Sequence, residues 1–141
     1  MTILELLPKV PLFSQLDQND LQTLSASARE RDYQSGEVLM HQGDSGVGLF
    51  ILSRGKVSIT QVRNSEVFDL GTLESGQVFG ELSLLDDMPR TATVTAIEPC
   101  SVIIVPIWDF RAALRENPSM ALSLLATLSK RIRNIENQQS R

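Results

Sequence analysis

Glu81 and Arg90 stand nine residues apart in FGELSLLDDMPRTATV, the stretch from Phe79 to Val94, and their chemistries are complementary. An ionised glutamate offers only acceptor oxygens, so it repels phosphate and its natural target in a ligand is a hydroxyl. The arginine fork matches two oxygens of a phosphate and keeps its charge at every physiological pH. Gly80 lets the backbone approach a ligand closely, and N–H groups opening a short helical turn over Glu81, Leu82, Ser83, Leu84 and Leu85 can receive an anion. Thr91 adds a hydroxyl beside Arg90, and Thr93 shares its strand parity. A phosphate next to a hydroxylated sugar would satisfy both charged residues. A second arrangement stays open on the residues alone, in which Arg90 pairs with Glu81, Asp86 or Asp87 as a structural or surface contact.

Other chemistries have little material. His41 is the single histidine, so neither a Cys-His arrangement nor the several histidines of a cupin-type metal site can be assembled. Asp44, Asp69, Asp86 and Asp87 are scattered without the spacing of a calcium loop. The expectation is no enzyme, no metal and no prosthetic group. His41 reads as a strand or pocket-rim residue, Trp108 as a buried aromatic joining a helix to the β-domain, and Phe50, Phe68 and Phe79 as core. Lys130, Arg131 and Arg133 read as a solvated flank of a terminal helix.

The elements that must position these groups follow from pattern. At 141 residues there is room for one domain, and a net charge of −4 argues against a surface that generally seeks nucleic acid. Cys100 is the lone cysteine, MTILELLPKVPLF lacks the layout of a secretion signal, and no apolar run reaches the roughly 18 residues that span a bilayer. A cytoplasmic chain is expected. Asp17 and Asp20 open a helix whose apolar face is Leu21, Leu24 and Ala28, ending near Arg29 to Arg31. Short β-prone runs follow, with strands expected at Val38 to His41, Gly48 to Ser53, Lys56 to Val62, Glu66 to Leu73, Thr91 to Glu98 and Ser101 to Pro106. Arg54-Gly55, Arg63-Asn64-Ser65 and Glu98-Pro99-Cys100 fit the turns between them. The connections are too short for regular βαβ crossovers, so the fold class is mainly β with flanking helices, an antiparallel sandwich or jelly roll.

Helix returns at the end, with Asn117 as cap and Pro118 in the first helical position. Ala121, Leu125, Leu128, Ile132 and Ile135 follow at spacings of four, three, four and three, a short coiled-coil seam broadened by Leu122 and Leu124. Two readings stand: a helix packed within its own subunit, or the contact of a homodimer.

Phe79-Gly80-Glu81 followed by Pro89-Arg90-Thr91-Ala92 resembles the phosphate-binding cassette of the cyclic nucleotide-binding domain family. That family includes bacterial catabolite-activator-type regulators, cyclic-nucleotide-dependent kinase regulatory subunits and cyclic-nucleotide-gated channels. The resemblance extends to VPLFSQL, GEVLMHQGD, LFILSRGKVSI and the terminal helices, and so covers nearly the whole chain. It implies a double-stranded β-helix, or jelly roll, with cAMP or cGMP as a regulatory ligand inside it. One domain over 1–141 would comprise helices at about 1–31, a roll at about 32–107 holding the cassette 79–92, and helices at about 108–138. The resemblance assigns Glu81 to the ribose 2′-hydroxyl and Arg90 to the exocyclic phosphate oxygens. Phe79, Gly80, Leu82, Ser83 and Ala92 fall in the cassette, and Thr91 matches a position where a hydroxyl can meet a guanine, which leaves both nucleotides open. Implied partners are a second copy through the C-terminal helix and a fused or separate effector. Catabolite-type relatives carry a helix-turn-helix after their long helix, and no such DNA-binding module is expected before Arg141. The alternative is a family member that kept the fold as a structural or dimerisation domain and no longer binds.

Overall fold

Alternation within GLFIL sets the architecture. Leu49 and Ile51 are buried in a cluster shared with the helices, while Phe50 and Leu52 are buried in a second cluster inside the β-roll. A strand that is apolar at every position is buried on both faces. The architecture is therefore three-layered, with helices on a first sheet and that sheet facing a second. Residues 2–10, 13–14, 16–45, 48–80 and 90–139 are described by a computed structural model.

In chain order the elements are α1 (Ile3–Leu6), a 3₁₀ turn (Leu7–Lys9), α2 (Gln18–Ser27), β1 (Arg29–Tyr33), β2 (Val38–Met40), β3 (Gly48–Arg54), β4 (Lys56–Arg63) and β5 (Glu66–Glu74). They continue with β6 (Val78–Phe79), β7 (Thr93–Ala96), β8 (Cys100–Pro106), α3 (Ile107–Glu116) and α4 (Pro118–Gln139). Two four-stranded antiparallel sheets result, ordered β1-β8-β3-β6 and β2-β7-β4-β5. Leu49, Ile51, Ile103 and Val105 of the first sheet meet Leu7, Phe13, Leu24, Phe110, Met120 and Leu124 of the helical layer. On its other face Phe50, Leu52, Val102 and Cys100 meet Leu39, Val57, Val94 and Ala96 of the second sheet. Each fully buried Leu, Ile or Phe contributes roughly 1.5–3 kcal/mol, so this shared sheet is the main source of stability.

Asp17 caps α2 as expected, its Oδ1 accepting from Asp20 N at 2.9 Å. The helix ends at Ser27, earlier than its sequence indicates, because Arg29 to Tyr33 pair with Ile104 to Cys100 of β8. RERDY has a weak strand pattern of its own; the ladder to a buried neighbour makes it β. Val78–Phe79 is likewise a strand, through its pairs with Ile51 and Phe50, that no sequence pattern announced. β7 is shorter than the expected Thr91 to Glu98. His41 lies just beyond β2 and is exposed.

The turns need particular backbones. Gly55 has φ +96°, and a Cβ there would sit 2.5 Å from Pro99 O, so the β3–β4 turn packs directly on the β7–β8 turn. Asn64 and Ser65 both take positive φ, 51° and 67°, the two-residue hairpin geometry that joins β4 to β5.

Three expectations about burial are corrected. Trp108 is 71% exposed rather than buried. The packed stripe of α3 is Ile107, Phe110, Ala113 and Leu114, and Trp108 is one position off that stripe, with Arg111 lying 5.8 Å from its ring centre. Phe68 is exposed because β5 is an edge strand, and the guanidinium of Arg63 covers its ring at 5.0 Å. The seam of α4 divides: Met120 and Leu124 are buried with Leu128 packed beside them, whereas Leu122, Leu125 and Ile132 face outward. The side chain of Ile135 lies outside the described residues.

Candidate functional site

Arg90 is the buried cation among the described residues, 3% exposed and tied to both sheets. Its backbone belongs to the second sheet's side. Arg90 N donates to Asp44 O at 2.7 Å and Gly43 N donates to Arg90 O at 2.8 Å, so the turn after β2 clamps the residue. Its side chain belongs to the first sheet. Nη1 donates to Gly80 O at 2.5 Å and Nη2 to Gly48 O at 2.9 Å. Those two carbonyls are neighbours because β3 and β6 pair in the register Phe50 with Phe79, which brings the start of β3 beside the end of β6.

Gly80 is a glycine for two independent reasons. Its φ of +87° is unfavourable for any side chain, and a Cβ would stand 2.5 Å from Nη1 of Arg90. Gly48 has its own constraint, since a Cβ there would lie 2.5 Å from Val105 O on β8. Phe50 and Phe79 form the adjoining wall with ring centres 5.1 Å apart and 40° between planes, and the guanidinium carbon lies 5.8 Å from the Phe50 ring centre. A charge taken this far out of water is costly unless hydrogen-bonded and paired. The carbonyl oxygens of Gly80 and Gly48 accept from Nη1 and Nη2 and so aim the fork.

Of the residues singled out in the sequence, Phe79, Gly80 and Arg90 are brought together here. Ala92 is buried at the entrance to β7. Thr91 is exposed, and its carbonyl accepts from Gln61 Nε2 at 2.7 Å. Thr93 is half-buried, and its Oγ1 accepts from Gln42 N at 3.0 Å, so its hydroxyl supports the 42–45 turn. Glu81, Leu82 and Ser83 lie outside the described residues, as do Asp86 and Asp87.

Sequence reasoning missed Gly43, Asp44 and Gly48 as parts of the site, because they act through backbone N–H and C=O groups that every residue carries. It also missed Gln42, in the turn after β2, and Gln61 of β4, whose side chains bond to backbone groups of Val62 and Thr91. Elsewhere in the roll, burial pushes the Tyr33 phenol above its usual range, with Arg31 opposing and Glu37 adding to the shift. No group of three or more His, Cys, Asp or Glu among the described residues could hold a metal ion, and no described helix is long and apolar enough to cross a membrane.

Comparison with known proteins places this geometry. Residues 30–117 match the family model described as "Cyclic nucleotide-binding domain". The chain is 31% identical over 127 residues to the "Cyclic AMP receptor protein" of Thermus thermophilus, covering 89% of this chain and 59% of that protein. It is 37% identical over 87 residues to the "cAMP-dependent protein kinase regulatory subunit" of Mycosarcoma maydis, covering 62% of this chain and 17% of that one. The sensor domain of the transcriptional regulator DNR from Pseudomonas aeruginosa superposes with a TM-score of 0.84 at 26% identity, over 94% of this chain and 90% of that chain. The chain thus spans less than two thirds of the length of each of these two relatives. The shared fold is a jelly roll of antiparallel strands with flanking helices, a regulatory rather than catalytic scaffold.

Proposed function

The chain belongs to the cyclic nucleotide-binding domain family, and on that premise we propose that it is a sensor whose ligand is a cyclic mononucleotide, cAMP or cGMP, bound at Arg90. The carrying observation is the buried guanidinium, held by Gly80 O and Gly48 O behind a glycine that has no room for a side chain. An exocyclic phosphate supplies the paired anionic oxygens that this fork fits, in a site where water competes poorly. Glu81 takes the ribose 2′-hydroxyl, backbone groups of Gly80, Leu82 and Ser83 complete the cassette, Phe79 and Ala92 back it, and Thr91 stands towards the base.

Occupancy has a structural route outward. Nη1 carries two N–H groups, so a phosphate that engages Arg90 can share this nitrogen with Gly80 O, which links occupancy to the contact between the cassette and the first sheet. That sheet packs on α3 and α4. A ligand shifts such a system only by its differential affinity for the two arrangements, and the output is a changed position of α4. The outward stripe Leu122, Leu125 and Ile132 is the surface for a second copy or an effector, fused or separate. The setting is cytoplasmic, where cyclic nucleotides are made and read.

Calorimetric titration with cAMP, cGMP, a cyclic dinucleotide and a noncyclic nucleotide tests this reading. One or both cyclic mononucleotides bind with a Kd on the order of micromolar or tighter, and Arg90→Leu abolishes the heat. Saturable binding that survives joint neutralisation of Glu81 and Arg90 would sink the site assignment. A second reading, a fold-retaining domain without ligand response, draws on one observation: the carbonyls of Gly48 and Gly80 already accept one N–H from each Nη of Arg90. Absence of binding by all four nucleotides supports it.

A further inference from the structure

We infer that Gln61 is a positioning residue for the phosphate arginine, tying the Arg90–Thr91 segment to the β4–β5 hairpin. The inference deepens the cyclic-nucleotide reading, and its affinity arm rests on that reading. Backbone pairing between β4 and β7 ends at Thr60 with Thr93. Thr91 is thus beyond the ladder. Gln61, one residue past the last pair, bridges the gap with its side chain, donating from Nε2 to Thr91 O at 2.7 Å.

The amide's orientation is set from behind. Arg63 Nε donates to Gln61 Oε1, which commits the oxygen end and turns the NH₂ end towards Thr91. Arg63 in turn lies over the ring of Phe68, which pairs with Gln61 across the hairpin. Phe68, Arg63, Gln61 and Thr91 therefore form one line of contacts from the exposed apolar hairpin to the residue beside the phosphate arginine. A second glutamine braces the same corner. Val62 N donates to Gln42 Oε1 at 2.8 Å and Gln42 Nε2 donates to Val62 O at 3.1 Å, while the turn beginning at Gln42 clamps Arg90 through Gly43 and Asp44. Both glutamines extend a ladder that backbone atoms do not complete.

Gln61→Glu and Gln61→Lys separate positioning from mere packing. Glutamate keeps the length and the contact to Arg63 but has no donor for Thr91 O at neutral pH; lysine keeps a donor. In the ligand-free protein, hydrogen exchange at the Arg90 and Gly43 amides is expected to accelerate about two- to tenfold in Gln61→Glu, the range a solvent-accessible hydrogen bond supports, and to return in Gln61→Lys. Exchange in β3 and β8 stays as in the unmodified chain. Affinity for cAMP or cGMP follows the same order, weakened about two- to tenfold by glutamate and restored by lysine. Unchanged exchange at Arg90 and Gly43 in Gln61→Glu overturns the inference, as does equal acceleration in both variants or acceleration spread through β3 and β8. If the unmodified chain binds neither nucleotide, the ligand reading falls, and the exchange measurement alone still decides the role of Gln61.

Discussion

The two sheets of the roll are built from opposite kinds of strand. β3 and β8 are apolar along most of their length and covered on both faces, whereas β5 is exposed at almost every position and lies at an open edge. The first sheet gains its order from burial, and the second, at its hairpin end, from ladder hydrogen bonds and side-chain amides. Arg90 spans the difference, its fork tied to carbonyls of the first sheet and its backbone to the turn leaving the second. Burial holds the carbonyls that aim the guanidinium, and hydrogen bonds hold the segment that carries its backbone. Local stability is lowest where apolar contacts are few.

The sharpest test of that contrast is a matched pair of truncations. Ile51→Ala removes a side chain buried between β3 and the helices, and it should destabilise the fold by about 2–5 kcal/mol. Val67→Ala, on β5 at 70% exposure, should stay within about 0.5 kcal/mol. Urea denaturation read by circular dichroism measures both. Comparable losses would mean that the hairpin is as much a part of the core as β3.

A second pair separates backbone strain from the arginine contact. Gly76 and Gly80 have nearly the same positive φ, 93° and 87°, but a Cβ at Gly76 meets nothing within 4 Å while one at Gly80 meets Nη1 of Arg90. Gly76→Ala therefore carries only the left-handed strain, about 1–2 kcal/mol. Gly80→Ala carries that and the displacement of a buried guanidinium, so its stability loss is larger by roughly 1–2 kcal/mol and its nucleotide affinity drops while that of Gly76→Ala holds. Thermal denaturation and calorimetry on the two variants give the comparison; equal effects would remove Gly80 from the site.

These contrasts also mark what was legible in the residues. The doubly buried β3 can be read from GLFIL, because unbroken apolarity over a strand length has few other uses, and Asp17 can be read as a cap from its position alone. β1 cannot, since RERDY becomes a strand only through β8, about 70 residues later. Trp108 misled because aromatic size argues for burial while helical phase, one residue off the packed stripe, decides against it. At the site, the donor fork of Arg90 and the freedom of Gly80 were legible as chemistry. Their meeting was not, because Gly48 and Asp44 contribute carbonyls and a carbonyl leaves no mark in sequence. The family resemblance supplied the connection between the two halves of the cassette, and residues 30–117 match the family's model.

Thr91 offers a smaller effect with more discrimination. It is exposed beside the buried arginine, so Thr91→Ala should leave stability within about 0.5 kcal/mol. It removes a hydroxyl that can meet a base edge but no group assigned to phosphate. The ratio of cGMP to cAMP affinity should then change by about two- to tenfold, with cGMP losing more. Paired calorimetric titrations read that ratio. An equal loss for both nucleotides would show Thr91 acting through Arg90 and the common phosphate, and would move it from the base side to the arginine's support.

The smallest effect is expected at the root of the hairpin. Lys56 Nζ lies 3.8 Å from Glu74 Oε1, and the two side chains are 40% and 73% exposed. Exposed pairs of this kind are worth at most about 1 kcal/mol and are screened by salt. The same two residues also face each other in the backbone ladder, the first of eight cross-strand pairs that run to Arg63 and Glu66. Backbone pairing survives Glu74→Gln intact, so the variant should shift the urea midpoint by less than about 0.5 kcal/mol equivalent and leave exchange along β5 unchanged in both low and high salt. A larger, salt-dependent loosening of β5 would mean that charge rather than the ladder holds the second sheet's edge. The looseness that distinguishes it from the first sheet would then be set by ionic strength as well as by the shortage of buried apolar surface.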